Sequence, residues 1–501
     1  MAFGLAAAQN TYRVDEAVRR YRYHVVTDGD RVDTLPDCGD CPGAPWPSIT
    51  GVGWPNDTSW TRKMCPVPHH CSRTTTASIE NRFGRTIREV ACFLMQVSRW
   101  FLFLAAVLTV ASAGLVGGAG TASADLPVPA DDAFYQAPAG YEAEPAGTIL
   151  RSRPVAATAL SVPLPVDSWQ VLYKSLDSHR APVADVATVL VPRTPWTGDG
   201  VRPLVSYQTA EDSLGSRCAP SYALTAGLGA ATSNAATESV MIAYLLSRGW
   251  AVVTADYEGP QSEFLAGPQS GYAVLDGIRA AKHFAPAGLD ADAPTGLWGY
   301  SGGAFATAWA AQLQSAHAPE LRMDGIALGG LPADLEAAMR NVDGGYGFGL
   351  TFGGLIGIDR AYPEDRLSEL FTAEGRAAMQ ASNADCTVEL IANHAFRSLH
   401  DYTVDPRPFD VPSLRKALAE NSPTAVGTSA PVYSYHAGGD ELVPVAIHDE
   451  YVRRACDAGS TVQVVRPPGG SHNTTLISGA QGAIDFFAAR FAGEPAIDDC
   501  Q

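Results

Sequence analysis

Three residues far apart in the chain have the types needed to attack a carbonyl carbon and move a proton. Ser301 stands in Gly299-Tyr300-Ser301-Gly302-Gly303, between an apolar run and an alanine-rich one. A serine hydroxyl is a weak nucleophile near neutral pH and needs a base, usually a histidine that a carboxylate holds in orientation. Downstream, "PVYSYHA" runs into Gly438-Gly439-Asp440-Glu441, and "TVQVVRP" into Gly469-Gly470-Ser471-His472. Asp440 and His472 therefore follow successive apolar stretches, in the order Ser, Asp, His. Glu441 is the rival for the acid's role, and Asp449 a more distant one. Other histidines stand less favourably: His394 and His400 in a helical region, His436 within a predicted strand, His448 in a predicted helix.

The spacing around Ser301 has a physical reading. A tight strand-to-helix turn forces the serine into a strained conformation and lifts its hydroxyl out of a sheet. Glycines on either side keep side chains from colliding where strand and helix nearly touch. The start of the helix aims free N–H groups at the same place, so Gly302 N–H is the first candidate donor to an oxyanion. The second should come from a loop after an early strand. Leu204–Gln208 followed by Glu211-Asp212 fits, with Asp212 as the candidate and an ordinary turn or capping role as its competitor.

These residues need a sheet to carry them. Stretches rich in β-branched residues predict strands at 148–155, 169–173, 186–191 and 204–208. From residue 239 the pattern alternates between helical spacing and short apolar runs. Helices are expected at 239–248, 273–284, 304–314, 446–455 and 476–491, and strands at 250–256, 295–300, 323–330, 431–435 and 461–465. Such alternation predicts a mostly parallel sheet with helices on both faces. It lapses between Leu331 and Thr428, a stretch too long for a loop and too apolar for a linker, which reads as an inserted helical cap over the carboxyl edge. The core is thus expected in two parts, 125–330 and 429–501, around a cap at 331–428. Within the cap, the glycine-rich run Gly344–Ile358 is a candidate wall for an acyl chain, since small residues leave room for a narrow slot. Tyr300, Gly349, Phe352 and Gly353 are the candidate substrate contacts. Tight helix packing is the competing reading of that run.

Five blocks in order, "VSYQTAEDSLGSRCAPSYAL", "YLLSRGWAVVTADYEGP", "GYSGGAFATAWAAQL", "HAGGDELVP" and "GGSHNT", make the chain from about Leu150 to Cys500 resemble the secretory lipases of yeasts and actinobacteria, the lipase A type. The resemblance implies an α/β-hydrolase fold with a helical lid, hydrolysis of triacylglycerols or related esters, and no cofactor or metal. By motif it assigns Ser301 as nucleophile, Asp440 as orienting acid and His472 as base, with Gly302 and the Asp212 neighbourhood as oxyanion hole. It also implies disulfides Cys218–Cys386 and Cys456–Cys500. A short-chain carboxylesterase and a cell-envelope acyltransferase would use the same chemistry. A lipid or ester substrate is expected, met at an oil–water interface in the lipase case, and no protein partner.

The bulk numbers agree with an exported enzyme. A formal charge of −18 argues against nucleic acid, whose phosphates demand a basic face. Met95 opens a segment with Arg99, an apolar core at 100–110 and Ala122-Ser123-Ala124, the layout of a signal peptide over 95–124 with cleavage before Asp125. Residues 1–94 lack any sustained period, and translation is expected to start at or near Met95. They hold Cys38, Cys41, Cys65, Cys71 and Cys92, whose spacing with His69 and His70 is also compatible with zinc, the weaker reading. Past residue 124, Cys218, Cys386, Cys456 and Cys500 remain, an even number that favours disulfides in an exported chain, with three pairings open from the sequence.

Overall fold

A computed structural model describes residues 127–467 and 470–500. The expected signal peptide and the extension before it lie outside these residues, as do the five cysteines of 1–94. In chain order the strands are β1 (Ile149–Pro154), a short ribbon of β2 (Thr158–Ala159) and β3 (Val162–Pro163), then β4 (Val166–Leu176), β5 (Pro182–Pro192), β6 (Leu204–Gln208), β7 (Ala251–Ala255), β8 (Thr295–Tyr300), β9 (Gly325–Gly329), β10 (Val432–Tyr435) and β11 (Val462–Val465). The nine of the main sheet lie in the order β1-β4-β5-β7-β6-β8-β9-β10-β11. From β7 to β11 every ladder is parallel, whereas β1, β4, β5 and β7 pair antiparallel. The sheet is therefore mixed, and its parallel part is the part that carries the predicted site. The antiparallel start follows from a short turn. Asp177 Oδ1 accepts the N–H groups of His179 and Ala181, which closes β4 onto β5 without the crossover that a parallel pair requires.

The helices of the core are α1 (Pro220–Ala226), α2 (Asn234–Ser247), α3 (Gly267–His283) and α4 (Gly302–His317). Five more, α5 (Leu335–Val342), α6 (Phe348–Ala361), α7 (Ala373–Ala381), α8 (Thr387–His394) and α9 (Pro412–Asn421), fill the stretch between β9 and β10, where the sheet gains no strand. α10 (Val445–Asp457) and α11 (His472–Phe491) complete the chain.

Side chains that alternate along a strand point to opposite faces, and here each face has its own core. Leu204, Val253, Leu297 and Ile326 pack on the side of α3 and α4. Tyr207, Val252, Trp298 and Tyr433 pack on the side of α2 and α11, against Ile242, Leu245, Ile484 and Phe487. Burial on both faces explains why β6, β7, β8 and β9 are buried along their whole length.

Two disulfides close the frame. Cys218–Cys386 ties the loop after β6 to the start of α8, and Cys456–Cys500 ties the end of α10 to the C-terminal segment. They are the two pairings implied by the resemblance.

Candidate active site

In a parallel sheet the loops after all strands emerge at one edge. Chain direction reverses across the sheet at β6 and β8, since β6 leads outward to β7 and the chain then returns to β8. That switch point is where open α/β sheets leave a crevice. Ser301 follows β8, Asp212 follows β6, Asp440 follows β10 and His472 follows β11, so one edge receives all four.

Ser301 sits directly between β8 and α4 with φ 54° and ψ −121°. Such a backbone is strained for a residue with a side chain, and strain of this kind is sustained only by rigid surroundings. They are present here: Ser301 N–H donates to Gly329 O at 2.8 Å and its carbonyl accepts from Phe305 at 3.0 Å. The close approach of strand and helix is enforced by two glycines. A Cβ on Gly299 would lie 2.0 Å from Gly303 O, and one on Gly303 would lie 2.0 Å from Gln208 O.

Ser301 Oγ lies 2.9 Å from His472 Nε2, and His472 Nδ1 lies 2.8 Å from Asp440 Oδ2. The other carboxylate oxygen of Asp440 accepts two backbone N–H groups, from Leu442 at 3.0 Å and Val443 at 2.8 Å. Burial works to raise the Asp440 carboxyl. The hydrogen bond and charge of His472, the Val443 N–H and His436 overcome it and hold the group below the ordinary carboxylate range. Asp440 therefore stays an anion and an acceptor for His472. Glu441, the rival acid, faces a different group: its Oε2 accepts the backbone N–H of His472 at 3.0 Å. Asp449 pairs with Arg466.

His436 lies one residue past β10, not within it, and is fully buried. Its Nε2 stands 2.9 Å from Val443 O and 3.4 Å from Asp440 Oδ2, which braces the acid's turn from below. His394 is buried against Ser382 and the Phe352 ring, His448 is buried against Ser434, and His400 is exposed.

Gly302 is the first residue of α4, so its N–H has no partner within the helix. Asp212 lies against it with φ 44°, a value aspartate tolerates better than most residues. Its Oδ1 is buried without a partner, and a Cβ on Gly302 would come within 1.8 Å of that atom. Burial pushes the Asp212 carboxyl up to about 7, and the charge of His472 partly offsets it.

Ser301, Gly302 and Asp212 line a cleft that is open to solvent, about 520 Å³ with the solvent space at its mouth included. Its walls are apolar: Leu335, Met339 and Val342 from α5, Leu350 from α6, Leu265 and Leu442 from loops. Sequence reasoning missed the α5 contribution, although Leu335, Met339 and Val342 at i, i+4 and i+7 are a legible helical stripe.

The four expected substrate contacts are not among the pocket's lining residues. Tyr300 is buried under the histidine; its hydroxyl donates to His472 O at 2.6 Å and the two rings lie 5.1 Å apart. Gly349 and Gly353 face α8, where added Cβ atoms would meet Leu390 O at 2.1 Å and Leu390 Cδ1 at 2.7 Å. Phe352, on the same face, packs on His394 and Tyr402. The glycines of α6 thus let two helices approach, and its Leu350 and Thr351 reach the pocket instead. Among the described residues, no group of three or more His, Cys, Asp and Glu side chains could hold a metal ion.

A family profile described as secretory lipase matches residues 224–499. The chain belongs to the secretory lipase family. Lipase 5 of Candida albicans is 34% identical over 388 residues, covering 74% of this chain and 83% of its own length. A Mycobacterium tuberculosis protein named a probable inactive lipase is 34% identical over 376 residues, covering 74% and 84%. Among solved structures, Candida antarctica lipase A in its closed state superposes with a TM-score of 0.68 at 29% identity, covering 75% of this chain and 90% of that one. This secretory lipase is accordingly an α/β-hydrolase and a carboxylic ester hydrolase. Lipid or other esters are its substrate class.

Proposed function

We propose that this chain is an exported triacylglycerol lipase in which Ser301 is the nucleophile, His472 the base and Asp440 the acid that orients it. The observation that carries the reading is the unbroken line Ser301 Oγ, His472 Nε2, His472 Nδ1, Asp440 Oδ2, with steps of 2.9 and 2.8 Å outside the ring, at the floor of an apolar pocket. His472 takes the Ser301 proton as Oγ attacks the ester carbonyl. Gly302 N–H and the Asp212 backbone N–H stabilise the oxyanion, and His472 returns the proton to the departing alcohol. A water then enters, His472 takes its proton as the water oxygen attacks the acyl carbonyl, and that proton passes to Ser301 Oγ as the fatty acid departs.

α5 and α6 supply apolar walls to the space around Ser301, which supports reading 331–428 as a cap. Two disulfides and the leader-like layout at 95–124 support export. The test uses emulsified long-chain triglyceride beside soluble short-chain p-nitrophenyl esters, with and without a phosphonate ester inhibitor. Triglyceride hydrolysis abolished by one phosphonate adduct on the Ser301 peptide is expected. Turnover confined to short soluble esters would move the reading to a carboxylesterase, and an adduct elsewhere would remove Ser301 from it.

The Asp212 carboxyl gives a pH dependence with a definite sign. Below about 7 it is neutral; above that, ionisation sets a negative charge beside the oxyanion. kcat/KM on a neutral soluble ester should therefore decline above about pH 7, and Asp212→Asn should lose that decline. The folded state also keeps a proton that the unfolded chain releases near pH 4. This group's contribution to stability is thus full below about pH 4 and is lost as pH rises towards 7. Thermal midpoints measured across that window should fall less steeply in Asp212→Asn than in the parent.

A further inference from the structure

We infer that Glu441 is a positioning residue through which the helical insertion holds the catalytic histidine in line with Ser301. This rests on the reading of Ser301, His472 and Asp440 given above. Glu441 is exposed, beside the acid in sequence, and takes no part in orienting the imidazole through Nδ1. Its two oxygens face two separate parts of the chain. Oε2 accepts the backbone N–H of His472 at 3.0 Å, and Oε1 accepts the Tyr346 hydroxyl at 2.8 Å.

Each half of this bridge has a physical cause. His472 is the first residue of α11, a helix of 20 residues, so its N–H is one of the orphan donors at a positive helix end. Ser471 accepts the Thr474 N–H of the same turn, which leaves the His472 N–H for Glu441. A carboxylate there fixes the backbone from which the imidazole projects. On the other side, Tyr346 lies in the turn between α5 and α6, and that turn is itself tied down. Phe396 N–H donates to Gly345 O at 2.8 Å, and Gly344 N–H donates to Arg397 O at 2.9 Å. Burial and the Glu441 charge both push the Tyr346 phenol up, so it remains a donor.

A second insertion residue grips the same turn. Asn341 Nδ2 donates to the carbonyls of Glu441 at 2.9 Å and Leu442 at 3.1 Å. Leu442 N–H in turn donates to Asp440, so the acid's turn and the base's helix are both referenced to α5 and the turn after it. Geometry of this kind matters because a misplacement of about 1 Å can cost roughly 100-fold in rate.

The experiment compares Glu441→Ala, Glu441→Gln and Tyr346→Phe in the full-length exported enzyme on a soluble short-chain ester, with Ser301→Ala alongside. Glu441→Ala should lower kcat roughly tenfold with KM and thermal midpoint unchanged. Glu441→Gln should restore most of it, because its amide oxygen accepts the His472 N–H while its NH₂ donates to the Tyr346 oxygen. Tyr346→Phe should fall between them. Unchanged kcat in Glu441→Ala overturns the proposal, as does a loss matched by a rise in KM and a drop in midpoint that Gln does not rescue. If Glu441→Ala does not fold, wild-type kcat in Tyr346→Phe, which removes the Tyr346 hydroxyl from the bridge, overturns it. Turnover that survives Ser301→Ala sinks the underlying reading instead, so the two failures are distinguishable.

Discussion

With the proposed triad, replacing Ser301 or His472 by alanine should lower kcat by about 10⁶ and Asp440→Asn should lower it by about 10⁴, with combined variants scarcely worse than Ser301→Ala. The first two remove the atoms between which the proton moves, 2.9 Å apart. The third is more informative because it is nearly isosteric. Asp440 Oδ1 is held by the N–H groups of Leu442 and Val443, so an asparagine must leave its carbonyl oxygen there. Its NH₂ is then turned toward His472 Nδ1, a donor facing a nitrogen that must itself donate. Nδ1 becomes the acceptor, the ring proton moves to Nε2, and the base loses the lone pair that faces Ser301. The loss is therefore one of tautomer and not of folding. Thermal midpoints and KM on a soluble ester should stay near those of the parent, while the rate of phosphonate labelling at Ser301 falls in parallel with kcat. Labelling that keeps its full rate in Asp440→Asn would rule out this account of the acid.

The same residues show why this much of the site was legible in the sequence. Ser301, Asp440 and His472 each follow a strand whose apolar run stands out, and a parallel sheet delivers the ends of such strands to one edge whatever the intervening chain does. Asp212 reaches the same edge by the same rule, since it follows β6. Helix starts were harder to read. α4 was expected from Ala304 and begins at Gly302, and α11 was expected from Leu476 and begins at His472. Both first turns are built of glycines or polar residues, which carry no 3.6-residue apolar period. The candidate substrate contacts diverged for a related reason. A glycine-rich run announces a close approach but not its partner; only the packing reveals that Gly349 and Gly353 meet Leu390 of α8. The bridge from Tyr346 through Glu441 to His472 joins residues 95 and 31 positions apart, and no local pattern encodes it.

Gly302→Ala should lower kcat by about 10²–10³ with a smaller effect on KM, the size expected for losing one oxyanion donor. The motif Gly-x-Ser-x-Gly leaves this position open, and helix propensity alone would favour alanine in a first turn. The structure gives the opposite sign. A methyl group at Gly302 would stand 1.8 Å from Asp212 Oδ1, so one of the two must move. Asp212 has little freedom to do so, being buried, already at φ 44°, and followed by Ser213, whose hydroxyl bonds Glu211 O. What shifts is then the pair of N–H groups themselves, one on each side of the clash. Shortening the opposing side chain supplies the control. If crowding is the cause, Asp212→Ala combined with Gly302→Ala should recover a large part of what Gly302→Ala loses, since the added methyl enters the space the carboxyl vacates. Independent losses would instead multiply. A double variant with the product of the two single losses would mean that Gly302→Ala acts through the helix start and not through Asp212.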